Sequence, residues 1–166
     1  MTKSIKVVVI GGGYAGVLAA NRLTQRDDVS VTLINALPSF VERIRLHQLV
    51  GGSDDAVVGY EDVLAGGVRL VIDTVTRIGA ADRSVTVATG GTIGYDYLIY
   101  AVGSGSADPR VSGAAEFAYP IATLAEAQRL RSVLDAVPAT AAVTVVGGPA
   151  RPASRPPPSW RSWAAP

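Results

Sequence analysis

The 166-residue chain is expected to form an α/β domain on a buried parallel sheet. Three features of its first 35 residues support this. Val7 to Ile10 is β-branched throughout, as a strand buried on both faces should be. A glycine-rich turn follows at once, and Ala and Leu at helix-like spacing then run to Leu23. Val29 to Asn35 returns as a second strand and closes a βαβ unit of about 30 residues, the size of a mononucleotide-binding half.

The turn carries the chemistry. Gly11, Gly13 and Gly16 stand in the GxGxxG register. Gly11 permits the tight turn, Gly13 lets the backbone reach a pyrophosphate, and Gly16 lets helix and strand pack closely. Tyr14 and Ala15, between the second and third of these glycines, join them as cofactor-binding positions. The N–H groups at the start of the helix have no intrahelical acceptor, and together with the helix dipole they favour an anion. No Lys followed by Ser or Thr stands at P-loop spacing, which disfavours a nucleoside triphosphate. A glycine-rich turn without a ligand is the bland alternative, and the buried strand before it argues for a dinucleotide. Where an acidic residue often ends the second strand and binds ribose hydroxyls, this chain has Asn35. Asn35 has two readings, a ribose contact or a turn residue before Pro38.

Composition narrows the partners. Fifteen basic and fourteen acidic residues leave a net charge of +1, so there is no electrostatic case for nucleic acid or an anionic membrane. A small molecule is the expected partner. With no cysteine, the chain has no disulfide, thiolate metal site or redox-active cysteine pair, and any redox chemistry must come from a bound cofactor. No metal site is expected. The Lys residues before the first apolar stretch do not make a signal peptide, since Asn21 and Arg22 follow without a cleavage site. No run of 18 apolar residues is present to span a bilayer.

Phe40 to Val50 has apolar residues at three- and four-residue spacing and ends at Gly51 and Gly52, which predicts a short amphipathic helix. Arg43, Arg45 and His47 on it form either a solvated face with one structural histidine or a cationic wall beside a cofactor. A second helical piece is expected at Tyr60 to Ala65. Strands are then expected at Val68 to Val75 and Val85 to Ala88, with a turn-like stretch between them, as a small antiparallel insertion. A buried strand returns at Tyr97 to Val102 and stops at Gly103, Ser104 and Gly105. Thr123 to Val137 places Leu124, Ala127, Leu130 and Leu134 on one helical stripe that Pro138 ends. Glu42, Asp96 and the other carboxylates read as surface or capping groups, so no catalytic base is assigned.

Three segments in order, IGGGYAG, VTLIN with FVERIRLHQL, and GYDYLIYAVGS, resemble the FAD-dependent pyridine nucleotide oxidoreductases. The similarity covers residues 5 to 148 and is greatest to the NADH dehydrogenase-like branch, which includes type II NADH:quinone oxidoreductases. Where the family's second motif reads ATG, this chain has Ala101, Val102 and Gly103. The resemblance implies a Rossmann-like FAD-binding domain with the pyrophosphate over Gly11, Gly13 and Gly16. It also implies that Ala101 and Gly103 line the cofactor, that the Val75 backbone meets the adenine and that Arg43 approaches the flavin. NAD(P)H then reduces the flavin, and a small acceptor such as a quinone takes the electrons. A cytoplasmic location is implied with it, with peripheral membrane attachment a property of the full-length form. Without a cysteine pair, the disulfide reductase branch is set aside.

The expected organisation is an FAD-binding part over residues 1–122, the helix and first strand of a second, NADH-binding Rossmann domain over 123–148, and a Pro-rich tail over 149–166. AVTVVGG at Ala142 to Gly148 repeats the look of the first fingerprint, but PARPASRPPPSWRSWAAP follows where a third glycine and an apolar helix should stand. That tail holds six of the ten prolines and both tryptophans. Shifted by one base, with free wobble positions, the codons of Arg151 to Pro166 permit AGIEAAAELAVLGRA, a helix-forming continuation of the fingerprint. A frameshift near Pro149 is therefore expected, with a disordered tail, a truncated domain and little turnover. The open alternatives are a non-catalytic nucleotide-binding module and a single-domain NAD-binding dehydrogenase.

Overall fold

The computed structural model describes residues 4–105, 111–138 and 140–146, which fall into two compact units. Residues up to Glu42 with Val57–Ser104 form the first, and Arg43–Ala56 with residues from Gly105 onward form the second.

The first unit is built on four parallel strands: β1 (Ile5–Ile10), β2 (Val29–Asn35), β5 (Val68–Ile72) and β9 (Tyr97–Tyr100). Their order across the sheet is β5-β2-β1-β9. Ile5 lies opposite Val29 and Ile10 opposite Ile34, while on the other side of β1, Val7 to Ile10 face Tyr97 to Tyr100. The chain therefore moves outward through β2 and β5, then crosses back to place β9 beside β1. The order of strands reverses between β1 and β9.

Both faces of β1 are covered, which is why its sequence shows no polar alternation. Val7 and Val9 pack with Val31 and Leu33, with Val17 and Ala20 of α1 (Tyr14–Leu23), and with Phe40 and Tyr60. Val8, Ile10 and Ile34 pack on the opposite face with Val85 and Val87. Those two valines belong to β7 (Ser84–Val87), the middle strand of an antiparallel sheet with β6 (Val75–Gly79) and β8 (Thr92–Gly94). Helix, parallel sheet and antiparallel sheet thus form three layers, the α/β architecture with a small antiparallel insertion that the sequence predicts.

Three expectations need correction. Phe40 to Val50 is not one helix. Ser39–Val41 forms β3, which pairs antiparallel with β4 (Val57–Gly59) and buries Phe40 in the first core; a 3-10 turn spans Arg43–Arg45, and α2 occupies only Leu46–Gly51. The long-range pairing overrides the local helical period. Tyr60–Ala65 shortens to α3 (Tyr60–Val63). The strand expected over Val68 to Val75 is two strands in different sheets, so Thr76 to Gly79 is ladder and not turn. Asp73 marks the break, with its carboxylate accepting from the Thr74 N–H (2.7 Å) and the Thr89 hydroxyl (2.6 Å).

In the second unit α2 packs on α5 (Leu124–Ala136). Thr123 and Glu126 form a reciprocal capping box at the start of α5, satisfying two N–H groups that a helix end leaves over. The Arg131 guanidinium donates to the Val50 carbonyl (3.3 Å), tying the end of α2 to α5. A short α4 (Ala114–Phe117) had no recognisable sequence signal. The strand expected at Ala142 to Gly148 forms no ladder over its described residues, and Val145 and Val146 are exposed. A β-strand is held by a neighbour, and apolar character alone supplies none. The tail at 149–166, and the frameshift inferred from it, lie outside the described residues.

Leu33 is completely buried between the sheet and α1. Leu33→Ala is expected to cost about 2–5 kcal/mol through lost transfer energy and a residual cavity, whereas the exposed Arg77→Ala should stay within about 0.5 kcal/mol. Urea unfolding midpoints of the two variants check this.

Candidate functional site: a glycine turn at the strand-order reversal

The site lies where β1 and β9 end side by side. Ala101 N–H donates to Ile10 O (2.8 Å), and Gly11 N–H donates to Ile34 O (2.8 Å), so three strand ends are laced together at one level. Gly11 then turns with φ +104°, a left-handed conformation that strains any L side chain. A Cβ there would overlap the carbonyl of Ala101, and a Cβ at Gly16 would overlap the carbonyl of Gly11. Two of the three fingerprint glycines are therefore required by contact between backbones. Gly13 differs. It has an ordinary φ of −82° and open space where a side chain would stand.

Gly13 caps α1 without a side-chain hydrogen bond, and no acidic residue occupies the first turn. The helix ladder opens with Val17 N–H donating to Gly13 O (2.9 Å), leaving the N–H groups of Tyr14, Ala15 and Gly16 without an acceptor in the helix. Ala15 is exposed, and Tyr14 is half-exposed with its ring edge-on to Phe40 at 5.0 Å. These amides and the helix dipole make a positive end without a formal charge.

Gly12, outside the GxGxxG register, is held at both of its backbone polar groups. Its N–H donates to Asn35 Oδ1 (2.9 Å), and its carbonyl accepts from the Tyr60 hydroxyl (2.9 Å). A Cβ at Gly12 would overlap the Tyr60 hydroxyl and crowd the Asn35 side chain. Asn35 also donates through Nδ2 to the Leu37 carbonyl (2.9 Å), so its amide joins the end of β2 to the glycine turn. Tyr60 is only 3% exposed, and burial pushes its hydroxyl up to about 12. Sequence reasoning treated Tyr60 only as the start of a helical piece. The sequence carries no signal for its place beside Gly12, which the fold supplies from 48 residues away.

Ala101 stands against Gly11, and Gly103 two residues on has φ +75°, so the second motif bends away directly beside the first. Val75 begins β6 opposite Val87. Two residues before it, Asp73 N–H donates to Asn35 O (2.9 Å), which brings this segment to the carboxyl end of β2. Hydrogen bonds from Thr89, Thr74 and Ala88 hold the Asp73 carboxyl below its ordinary range. Arg43 belongs to the second unit, where its Nε donates to the Ala122 carbonyl (3.1 Å). A cavity of about 290 Å³ lined by Ser4, Ile5, Arg83, Asp96 and Tyr97 opens at the opposite, amino end of the strands.

A glycine turn that opens a helix at the reversal of a parallel sheet defines a dinucleotide-binding α/β domain. The chain belongs to the pyridine nucleotide-disulphide oxidoreductase family, whose sequence model matches residues 5–150. Its 35% identity over 157 residues to an NADH dehydrogenase-like protein of Mycobacterium tuberculosis covers 86% of this chain and 39% of that protein. A type II NADH:quinone oxidoreductase of Staphylococcus haemolyticus is 29% identical over 132 residues, covering 75% and 33% respectively. The chain thus spans about a third to two fifths of these relatives. Among solved structures it resembles the sulfide:quinone oxidoreductase of Aquifex aeolicus, with a TM-score of 0.69 and 26% identity over 80% of this chain and 32% of that one. It shares the fold of Plasmodium falciparum NDH2, solved with NADH, at a TM-score of 0.63 and 20% identity over 78% and 28%. Having no cysteine, these residues carry none of the disulphide chemistry in the family's name.

Because the folded-state pKa of Tyr60 exceeds the usual value of about 10, its contribution to stability is complete below pH 10 and fades as the pH rises toward 12. Ultraviolet titration of tyrosinate should show one late-ionising group that Tyr60→Phe removes. The same variant leaves the Gly12 carbonyl without its donor and should cost about 1–3 kcal/mol in chemical unfolding.

Proposed function

We propose that the first unit binds FAD, with the pyrophosphate at the start of α1 and the rest of the cofactor along the carboxyl ends of β1 and β9. The observation that carries this reading is the open side of Gly13 beside the acceptor-free amides of Tyr14, Ala15 and Gly16. The backbones fit the group: Gly11 and Gly16 close the turn down, while Gly13 leaves room for a phosphate to approach. When bound, FAD supplies the hydride and electron chemistry. The chain's own residues hold and orient. Tyr14, Ala15 and Gly16 present N–H groups to the anion, Ala101 and Gly103 line the cofactor beside them, and Val75 offers backbone toward the adenine. Asn35 supports the turn through Gly12 and in this reading reaches the ribose with its remaining amide hydrogen.

The activity proposed is oxidation of NAD(P)H through the flavin with transfer to a small acceptor, a quinone being the first choice. Family membership and the names of the relatives support it. The reading carries a cytoplasmic location, peripheral to a membrane where the acceptor is a quinone; among the described residues no helix is long and apolar enough to cross one. Within this proposal residues 1–122 form the flavin-holding part and 123–148 begin the NADH-binding part. Flavin binding draws on the glycine turn together with Asn35, Val75, Ala101 and Gly103, whereas NADH oxidation also needs a second nucleotide site.

The test is FAD titration followed by quenching of flavin fluorescence. Gly13→Ala has no steric or dihedral reason to unfold the chain, yet it places a methyl where the phosphate approaches. It should weaken FAD by at least about tenfold, an increment of roughly 1.4 kcal/mol, while Ala at the helix N-cap costs no more than about 1 kcal/mol of stability and leaves the variant folded. Gly66→Ala, also in open space, should bind as the parent does. Equal affinity in all three proteins would remove the turn from the binding site.

A further inference from the structure

We infer that Tyr60 is a positioning residue for the anion site: by holding the Gly12 carbonyl inward, its hydroxyl turns the N–H of Gly13 outward, toward the phosphate. The inference deepens the FAD reading and rests on it. Its geometry follows from one peptide plane. The Gly12–Gly13 bond is trans, so the Gly12 carbonyl and the Gly13 N–H point in opposite directions. The Tyr60 hydroxyl donates to that carbonyl at 2.9 Å from a side chain buried with Val9, Val17 and Phe40. The carbonyl therefore faces the core, and the opposed N–H faces away from it. Among the described residues Gly13 N–H has no acceptor, and the side-chain direction of Gly13 is open.

Rotation of this plane is otherwise easy, because both flanking residues are glycines and accept many dihedral combinations. Asn35 restrains the preceding peptide by accepting the Gly12 N–H, but it makes no contact with the Gly12 carbonyl. Tyr60 supplies the second restraint. Its ring is fixed by the start of α3, directly after the β3–β4 pairing, so a strand pair outside the proposed binding positions would decide the direction of a ligand-binding amide. Burial keeps the hydroxyl protonated and donating well into the alkaline range.

The test compares the full chain with Tyr60→Phe and with Val85→Ala, which is destabilised in the opposite core and does not touch the turn. The ¹⁵N shift of Gly13 is read without ligand, and FAD affinity is then read at a temperature where all three proteins are folded. Tyr60→Phe is expected to move the Gly13 signal and weaken FAD about tenfold, while Val85→Ala does neither. An unmoved Gly13 signal in folded Tyr60→Phe overturns the inference whatever the affinity, and so does a moved signal with parental affinity. If Tyr60→Phe does not fold, 3-fluorotyrosine at position 60 keeps the ring but makes the hydroxyl a stronger donor, so the Gly13 signal must move from the parent's, and an unmoved signal overturns the inference. Failure of the parent chain itself to bind FAD refutes the functional reading; the ligand-free Gly13 signal still decides whether Tyr60 sets the peptide.

Discussion

A crowded crossing of backbones at the carboxyl ends of β1 and β9 is the constraint on which the rest of the site depends. Gly11 lies against the carbonyl of Ala101, and Gly16 lies against the carbonyl of Gly11, with no room for a Cβ at either contact. Only glycine lets α1 start so close to the sheet while β9 ends beside it. The hydrogen bonds Gly11 to Ile34 and Ala101 to Ile10 then set three strand ends at one height. The helix N-terminus is delivered to the strand-order reversal, where open α/β sheets bind their ligands.

In the proposed FAD site, charge is recognised with dipoles. In the first unit, the proposed cofactor-binding positions Gly11, Gly13, Tyr14, Ala15, Gly16, Asn35, Val75, Ala101 and Gly103 are all uncharged. A phosphate there meets oriented N–H groups fixed by packing, and their strength depends on preorganisation. This gives the side chains around Gly12 their importance. Asn35 and Tyr60 hold the two polar groups of one residue from two different elements, and neither side chain needs to touch the ligand to matter. The buried ring of Tyr60 also ties the β3–β4 pair to the core, linking the stability of that face to the shape of the turn.

The parts of this arrangement legible in the sequence were those with local causes. Val7 to Ile10, the glycine register and Val29 to Asn35 each carry their own signal, and so does the apolar stripe of Leu124, Ala127, Leu130 and Leu134 in α5. Elements that depend on distant partners were not legible. Ser39–Val41 is a strand because Val57–Gly59 lies beside it, and no helical or strand period within Phe40 to Val50 reports that. The valines at 143, 145 and 146 look like a strand but have no ladder among the described residues. The site divides in the same way. The fingerprint named Gly11, Gly13 and Gly16, whereas Gly12 and Tyr60 become functional only when a side chain 48 residues away reaches a carbonyl.

The most direct measurement is an amide NMR map of the ¹⁵N-labelled chain during addition of FAD. The account predicts that the largest shifts fall on Gly13 to Gly16 and on Ala101 to Gly103, with Gly66 and Gly67, beside Thr24 at the far end of α1, unmoved. Shifts centred instead on Ser4, Arg83, Asp96 and Tyr97, at the amino end of the strands, would contradict it by placing the ligand at the wrong edge of the sheet.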